Sequence, residues 1–401
     1  MMLGELGLSE YPAGDERVAI LVGPNGSGKS NHLRSIATQY RDHRDVTILC
    51  NTAYDRFSGL RDMNRLSAGR GGQSPKSVIK RAVTSSLTEE SSAFFQISAT
   101  LEYCGYAPRF GFRVERSGKW RKASIDEDDR EYLRELLDDA EAERDFISAL
   151  LFLERMDRGQ IVWIDARESR FEFSRVREIA AVLRVERLLR KAKRIGQIHV
   201  HLMKEGGQVL ELQHASSGEL SLISSLLFLI TTVPRGAIIL IDEPENSLHP
   251  NWQREYIDKL LVALQYRGAA IVVATHAPLI VTGAVALLAD RLGVYQIRKG
   301  DVRKLPIDPR SEVPSGIEEI LWRAFDVVTP ANHFVSEEIV EAIGRFEKND
   351  LSKDALIGLV GRMEAESFEA KQQDFFMAIR KLIDKIEVRK SGDDGAAPAD
   401  D

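Results

Sequence analysis

Cysteine is scarce in this chain, with two residues, Cys50 and Cys104, in 401. That excludes a disulfide framework and fits a reducing, cytoplasmic compartment. Positive charge is not in excess: the formal net charge is -6. A surface that is basic all over is excluded, whereas a local basic face is not. No apolar run is long. The longest, Leu220 to Val233, is broken by Ser221, Ser224 and Ser225 and falls short of the ~20 residues that span a bilayer. Met1-Met2-Leu3-Gly4-Glu5-Leu6 has neither the basic start nor the apolar stretch of a secretory signal, so no membrane association of the chain itself is expected. A sustained a/d heptad and a repeat of about 20 to 50 residues are also missing. What remains, 43% hydrophobic and 29% charged residues, is the composition of an ordinary soluble globular protein of two or three domains, or one enlarged one.

Against this background one stretch is distinctive. Gly23-Pro24-Asn25-Gly26-Ser27-Gly28-Lys29-Ser30 reads G-x-x-x-x-G-K-S, the phosphate-binding P-loop. The apolar run Val18 to Val22 leads into it as a buried strand, and Asn31 onward continues as a helix to about Tyr40. The glycines let backbone N–H groups face one point, and the helix N-terminus adds a positive end. Lys29 is expected to reach the β- and γ-phosphates of a bound nucleotide, and Ser30 to ligate Mg²⁺.

Further strands are expected at Leu3–Tyr11 (a short edge strand), Val46–Cys50, Phe110–Val114, Ile161–Ile164, Ala237–Ile241 and Ala269–Val273. Hairpins are expected around Gly206-Gly207 and around Lys299-Gly300. Ser67 to Pro75 reads as a loop, and Asp126 to Arg158 as a charged helical region. Phe173 to Arg194 reads as one long helix whose second half is crowded by Arg184, Arg187, Arg190, Lys191, Lys193 and Arg194. Those cations suit a helix C-terminus; they also suit nucleic acid or an acidic partner. His199 and His201 share a strand face without a nearby third ligand for zinc. Helices follow from Gly316 to about Val388, and the acidic end is expected to be disordered. The expected division is 1–124 and 196–310 for the two parts of a P-loop core, 125–195 for a helical insert, 311–390 for a helical C-terminal region and 391–401 for the tail.

The chemistry converges on three strand ends. Asp242 and Glu243 close a buried apolar strand, and Thr275-His276 closes another. In a doubly wound sheet such ends lie side by side with the P-loop. Asp242 completes the oxygen ligands of Mg²⁺, Glu243 is the base for water, and His276 is a donor at the γ-phosphate. Ser216 and Glu219 stand in capping-box spacing before an apolar helix.

Taken together, the P-loop, Ser216-Ser217-Gly218-Glu219, Asp242-Glu243-Pro244 and Thr275-His276 resemble an ABC-type ATPase. The resemblance implies an α/β P-loop NTPase fold with a mainly parallel, doubly wound sheet, an antiparallel β-subdomain, a helical insert and a C-terminal helical region. It implies ATP and Mg²⁺ as cofactors and Gly23 to Asn31 as the nucleotide cradle. It implies a homodimer or higher even oligomer, in which Ser216, Ser217 and Gly218 contact nucleotide in trans and Glu219 supports their loop. A magnesium-watching glutamine is also implied, and Gln96 is the candidate. Glu243-Pro244-Glu245-Asn246-Ser247-Leu248-His249-Pro250 and Ala274-Thr275-His276-Ala277-Pro278 are similar to the soluble branch that includes RecF, Rad50 and OLD proteins. Asn51 to Phe57 and the helical C-terminal region look most like the Septu-type, retron-associated anti-phage ATPases. That resemblance implies a separate effector, a nuclease. The alternatives are a DNA-binding repair ATPase and a slow-turnover ATP-binding scaffold.

Overall fold

In the computed structural model, residues 2–8, 16–52, 55–60, 63–68, 73–86, 92–117, 140–166, 173–288, 291–298, 300–305, 320, 325, 333–365, 376–377 and 379–387 are described. Strand β1 (Arg17–Val22) runs through the P-loop into α1 (Lys29–Tyr40). Strands β2 (Val46–Cys50) and β3 (Asn64–Ser67) follow, then α2 (Pro75–Ser86) and α3 (Ser92–Tyr103). Next come β4 (Tyr106–Arg116), α4 (Ala140–Arg155), β5 (Ile161–Asp165), α5 (Phe173–Arg184), α6 (Glu186–Lys191), β6 (Ile195–Lys204) and β7 (Val209–Glu211). The second half is α7 (Ser217–Thr232), β8 (Ile238–Asp242), α8 (Pro250–Ala263), β9 (Ala270–Thr275), α9 (Pro278–Leu288), β10 (Leu292–Arg298), β11 (Asp301–Lys304), α10 (His333–Glu347) and α11 (Lys353–Ala365).

The main sheet has the order β11-β10-β1-β9-β8-β2-β3. Every neighbouring pair in it is parallel except β10 with β11. All five residues of β8 and all six of β9 are buried, so these strands read as unbroken apolar runs. Each fully buried aliphatic side chain there is worth roughly 1.5–3 kcal/mol. One face of the sheet packs with Leu33, Ile36 and Ala37 of α1. The other packs with Leu222, Leu226 and Leu229 of α7 and with Ile257 and Leu260 of α8. Helices α8 and α9 meet so closely that a Cβ at Gly283 would stand 1.8 Å from the Arg254 carbonyl oxygen. The second sheet, β5-β4-β6-β7, is antiparallel.

Some expected elements take a different form. Instead of a strand, Gly4–Leu6 is a 3-10 turn, with Leu3, Leu6 and Leu8 buried against the sheet beside Tyr40. Their apolar side chains are used for packing rather than for an edge pairing. The expected long helix from Phe173 breaks at Val185, which leaves helical geometry at φ -96 and ψ 14. The break lets Glu186 open α6, where it pairs with Lys80 and Arg190. Residues 161–165 of the expected insert form a strand of the second sheet, and Ile179, Val182 and Leu189 join the main core. Ile339, Leu356, Val360, Met363 and Phe376 form a separate cluster. Residues 118–139 and the acidic tail lie outside the described residues. Among the described residues no helix is long and apolar enough to cross a membrane.

Candidate functional site

The P-loop bends because Gly23, Gly26 and Gly28 adopt φ values of 150, 80 and 106°, where a side chain is strained. Gly23 is also tight against the end of β10: a Cβ there would lie 2.5 Å from the Ile297 carbonyl oxygen. The Ser27 amide donates to the Pro24 carbonyl at 3.2 Å, and α1 starts at Lys29. Lys29 folds back and donates through Nζ to the carbonyls of Gly23 (2.7 Å) and Pro24 (3.2 Å). Burial lowers its pKa below the lysine range, against the pull of Glu243, Glu245 and Asp242. Asn31 Oδ1 accepts a hydrogen bond from Arg56 at 3.4 Å.

Asp242 ends β8 and is 0% exposed. Ser30 Oγ donates to its Oδ1 at 3.0 Å, while Oδ2 has no partner. Burial pushes the Asp242 carboxyl up to about 6, opposed by the Ser30 hydrogen bond and reinforced by Glu243. A buried oxygen pair with one unsatisfied lone-pair set suits a hard divalent cation, so Ser30 and Asp242 fit Mg²⁺. Glu243 takes a left-handed φ of 50°; its amide donates to the Ala274 carbonyl, and its Oε2 accepts from Asn246 Nδ2 at 3.3 Å. His276, at the end of β9, brings Nδ1 to 3.8 Å from Glu243 and 3.0 Å from Glu245. The structure thus gathers Gly23 to Asn31, Asp242, Glu243 and His276 at one end of the sheet.

Gln96 is elsewhere. It lies in α3, buried, and its Nε2 donates to the Val262 carbonyl at 3.5 Å. Val262 is near the C-terminal end of α8, about 18 Å of helix away from the end that adjoins the site. Gln96 is therefore an interior polar group of the α3–α8 contact, not a ligand beside Ser30 and Asp242. Helical periodicity could not reveal which end of α8 it would meet.

Ser216 to Glu219 begin α7. The capping box is complete: the Glu219 amide donates to Ser216 Oγ at 3.2 Å, and the Ser216 amide donates to Glu219 Oε2 at 3.0 Å. Tyr106 Oη and Lys204 Nζ from the second sheet also donate to Glu219, each at 2.6 Å. Ser216 and Ser217 remain exposed. Gly218 is buried, and a Cβ there would meet the Ser247 carbonyl oxygen at 2.4 Å. This segment packs against Ser247 of the loop after β8 and against Tyr106 and Lys204 of the second sheet.

Several contacts of the site were not read from the sequence. Arg56, held through its carbonyl by Arg34 (3.1 Å), adds positive charge near Asp242. Asn246 Nδ2 also donates to the Asn51 carbonyl at 3.2 Å, and the Asn51 amide donates to the Asp242 carbonyl at 3.1 Å. Glu245 is buried beneath His276. The second glutamate of Glu-Pro-Glu was the available signal. The cationic α5–α6 region is largely compensated: Arg184 grips Asp145 with two nitrogens (2.6 and 2.8 Å), Arg190 meets Glu186, and Arg194 is buried.

Comparison with known proteins gives a consistent picture. Residues 122–282 match the family described as "AAA domain, putative AbiEii toxin, Type IV TA system". That stretch contains Ser216, Asp242, Glu243 and His276 but begins after the P-loop. Protein ea59 of Escherichia phage lambda is 28% identical over 141 residues, which cover 34% of this chain and 27% of ea59. The match thus spans about a quarter of that relative's length. An ATP-binding cassette of an ABC transporter in its ADP conformation is similar with 15% identity and a TM-score of 0.28, over 76% of this chain and 83% of that one. The SMC head domain from Thermotoga maritima gives 13% identity and a TM-score of 0.25, over 73% and 90%. The matched stretch contains β8 and β9, which lie with the P-loop strand β1 in the main sheet.

Proposed function

We propose that this chain binds and hydrolyses ATP as a dimerising switch that controls a separate effector, a nuclease, in anti-phage defence. The observation that carries the reading is the convergence of Lys29, Ser30, Asp242, Glu243 and His276 at the ends of β1, β8 and β9. Mg²⁺ held by Ser30 and Asp242 would supply Lewis-acid stabilisation of phosphate charge. Lys29, now satisfied by two P-loop carbonyls, would exchange them for phosphate oxygens. Glu243, oriented by Asn246, would accept the proton of the attacking water. Exposed Ser216 and Ser217 of one copy, braced through Glu219, would complete the site of the other. Their exposure at the start of α7 supports that arrangement. The defence role rests on the sequence resemblance to Septu-type ATPases, with the toxin–antitoxin description of the matching family as support.

The test is size-exclusion chromatography with light scattering on wild type and Glu243→Gln, with and without ATP and Mg²⁺, on protein isolated from its native host. ATP-dependent dimers or higher even assemblies of Glu243→Gln, accompanied by an unfused nuclease, are expected. A monomer indifferent to ATP overturns the composite site and moves the slow scaffold ahead. The repair reading has one observation in its favour, the exposed Arg187 on α6 and Lys193 just after it. Steeply salt-dependent duplex binding by the isolated chain would support it.

A further inference from the structure

We propose that Glu245 is a positioning residue for His276: it fixes the imidazole with its Nδ1–H turned inward and its Nε2 left outward for the terminal phosphate. The inference rests on the ATPase reading above. Glu245 is 6% exposed, and a buried carboxylate needs a reason to be there. Its Oε1 accepts two hydrogen bonds from one dipeptide and has the ring of the same histidine beside it. The Thr275 hydroxyl donates at 2.7 Å, the His276 amide donates at 2.6 Å, and His276 Nδ1 stands at 3.0 Å. The Thr275 hydroxyl is itself committed, since its oxygen accepts from the Ala277 amide at 2.9 Å. Backbone and neighbour are therefore tied to a single oxygen, and the ring nitrogen lies within ion-pair distance of it.

Which imidazole nitrogen carries the proton is set by the partner of the other. An anionic oxygen 3.0 Å from Nδ1 selects a proton there. Glu243 lies on the same side at 3.8 Å and acts in the same sense. The nearby cation is Lys29, whose charge is felt by Glu243 and Glu245. To donate to a phosphate oxygen through Nε2, the ring must also be protonated there, and Glu245 supplies the negative charge that balances such an imidazolium. The tight loop after β8 assigns the two glutamates different tasks. Glu243, at positive φ, accepts from Asn246, whereas Glu245 is buried and meets Thr275 and His276 at the end of β9.

The experiment combines histidine ¹⁵N NMR with kinetics on the full chain. It uses wild type, Glu245→Gln, Glu245→Ala and, to assign the signal among eight histidines, His276→Gln. Wild type without nucleotide should show His276 protonated on Nδ1 at pH 8. Glu245→Ala should shift that proton toward Nε2. Both Glu245 variants should hydrolyse ATP about 10- to 100-fold more slowly, the range for losing a partner that orients a histidine, with ATP affinity changed less than about threefold. Urea midpoints identify any variant that fails to fold, and Glu245→Gln, which keeps shape and an acceptor oxygen, isolates the charge. The proposal is overturned if wild-type His276 carries its proton on Nε2 alone, or if both variants hydrolyse at the wild-type rate. It is also overturned if rate, affinity and urea midpoint fall together while the tautomer is unchanged. A wild-type chain that neither binds nor hydrolyses ATP overturns the ATPase reading instead, and the tautomer is still read without nucleotide.

Discussion

Ser30 Oγ donates to Asp242 Oδ1 at 3.0 Å across 212 residues of sequence, and the second Asp242 oxygen has no partner. The pair holds a buried carboxylate whose pKa is raised to about 6 by burial. An acid raised above its unfolded value, ~3.9, binds more protons in the folded state, so folding loses stability as pH climbs from about 4 through about 6. In EDTA, wild type should lose on the order of 1 kcal/mol relative to Asp242→Asn between pH 5 and 7.5. Paired urea titrations read the difference, and a gap constant with pH would contradict the assignment.

Gly218→Ala should destabilise the fold although alanine is the better helix former. The added methyl would stand 2.4 Å from the Ser247 carbonyl oxygen, which is backbone and has no rotamer to yield. A cost of about 1–3 kcal/mol is expected from such overpacking. Denaturant midpoints check it, and Gly206→Ala, where nothing lies within 4 Å, serves as the control.

Lys204→Met removes one donor to Glu219. Burial would raise the Glu219 pKa, but the hydrogen bonds from Lys204, Tyr106 and the Ser216 amide outweigh it and hold the carboxyl low. A depressed carboxylate stabilises above its unfolded pKa, and that contribution is lost as pH falls through the folded one. The variant should melt below wild type at pH 7, and the gap should narrow toward pH 3. Scanning calorimetry at both pH values decides it.

His201 titrates with the opposite charge. Burial and then Arg113 lower its pKa, with Glu211 opposing. The unfolded ring therefore takes up its proton first as pH falls below ~6.5, and stability is lost from there downward. His201→Leu should remove that loss, so the variant gains on wild type between pH 7.5 and 5 in urea midpoints.

Much of the core was legible because its signals are local. A glycine-rich turn between apolar strand and helix, a strand ending in Asp242-Glu243 and the Ser216–Glu219 cap each occupy a few adjacent residues. Gln96 was not legible, because only the α3–α8 packing decides that its amide meets Val262. The break at Val185 was hidden for the same reason: continuous apolar periodicity runs through it, while the pairing of Glu186 with Lys80 belongs to another helix. Arg56 was passed over because its charge matters only after Phe57 is buried and Arg34 holds its carbonyl.

Strand β9 lies between β1 and β8, so the P-loop and its acidic partner become neighbours only after a segment from later in the chain has been laid between them. The site is consequently a non-local object, and such contacts form slowly because long loops must close first. A partly synthesised or partly unfolded chain would hold an intact motif at residues 23–30 with no Asp242 or His276 beside it. On the proposed ATPase reading, nucleotide affinity would report completion of the whole sheet, and ligand in excess would stabilise the finished fold over every precursor by RT ln(1 + [L]/Kd).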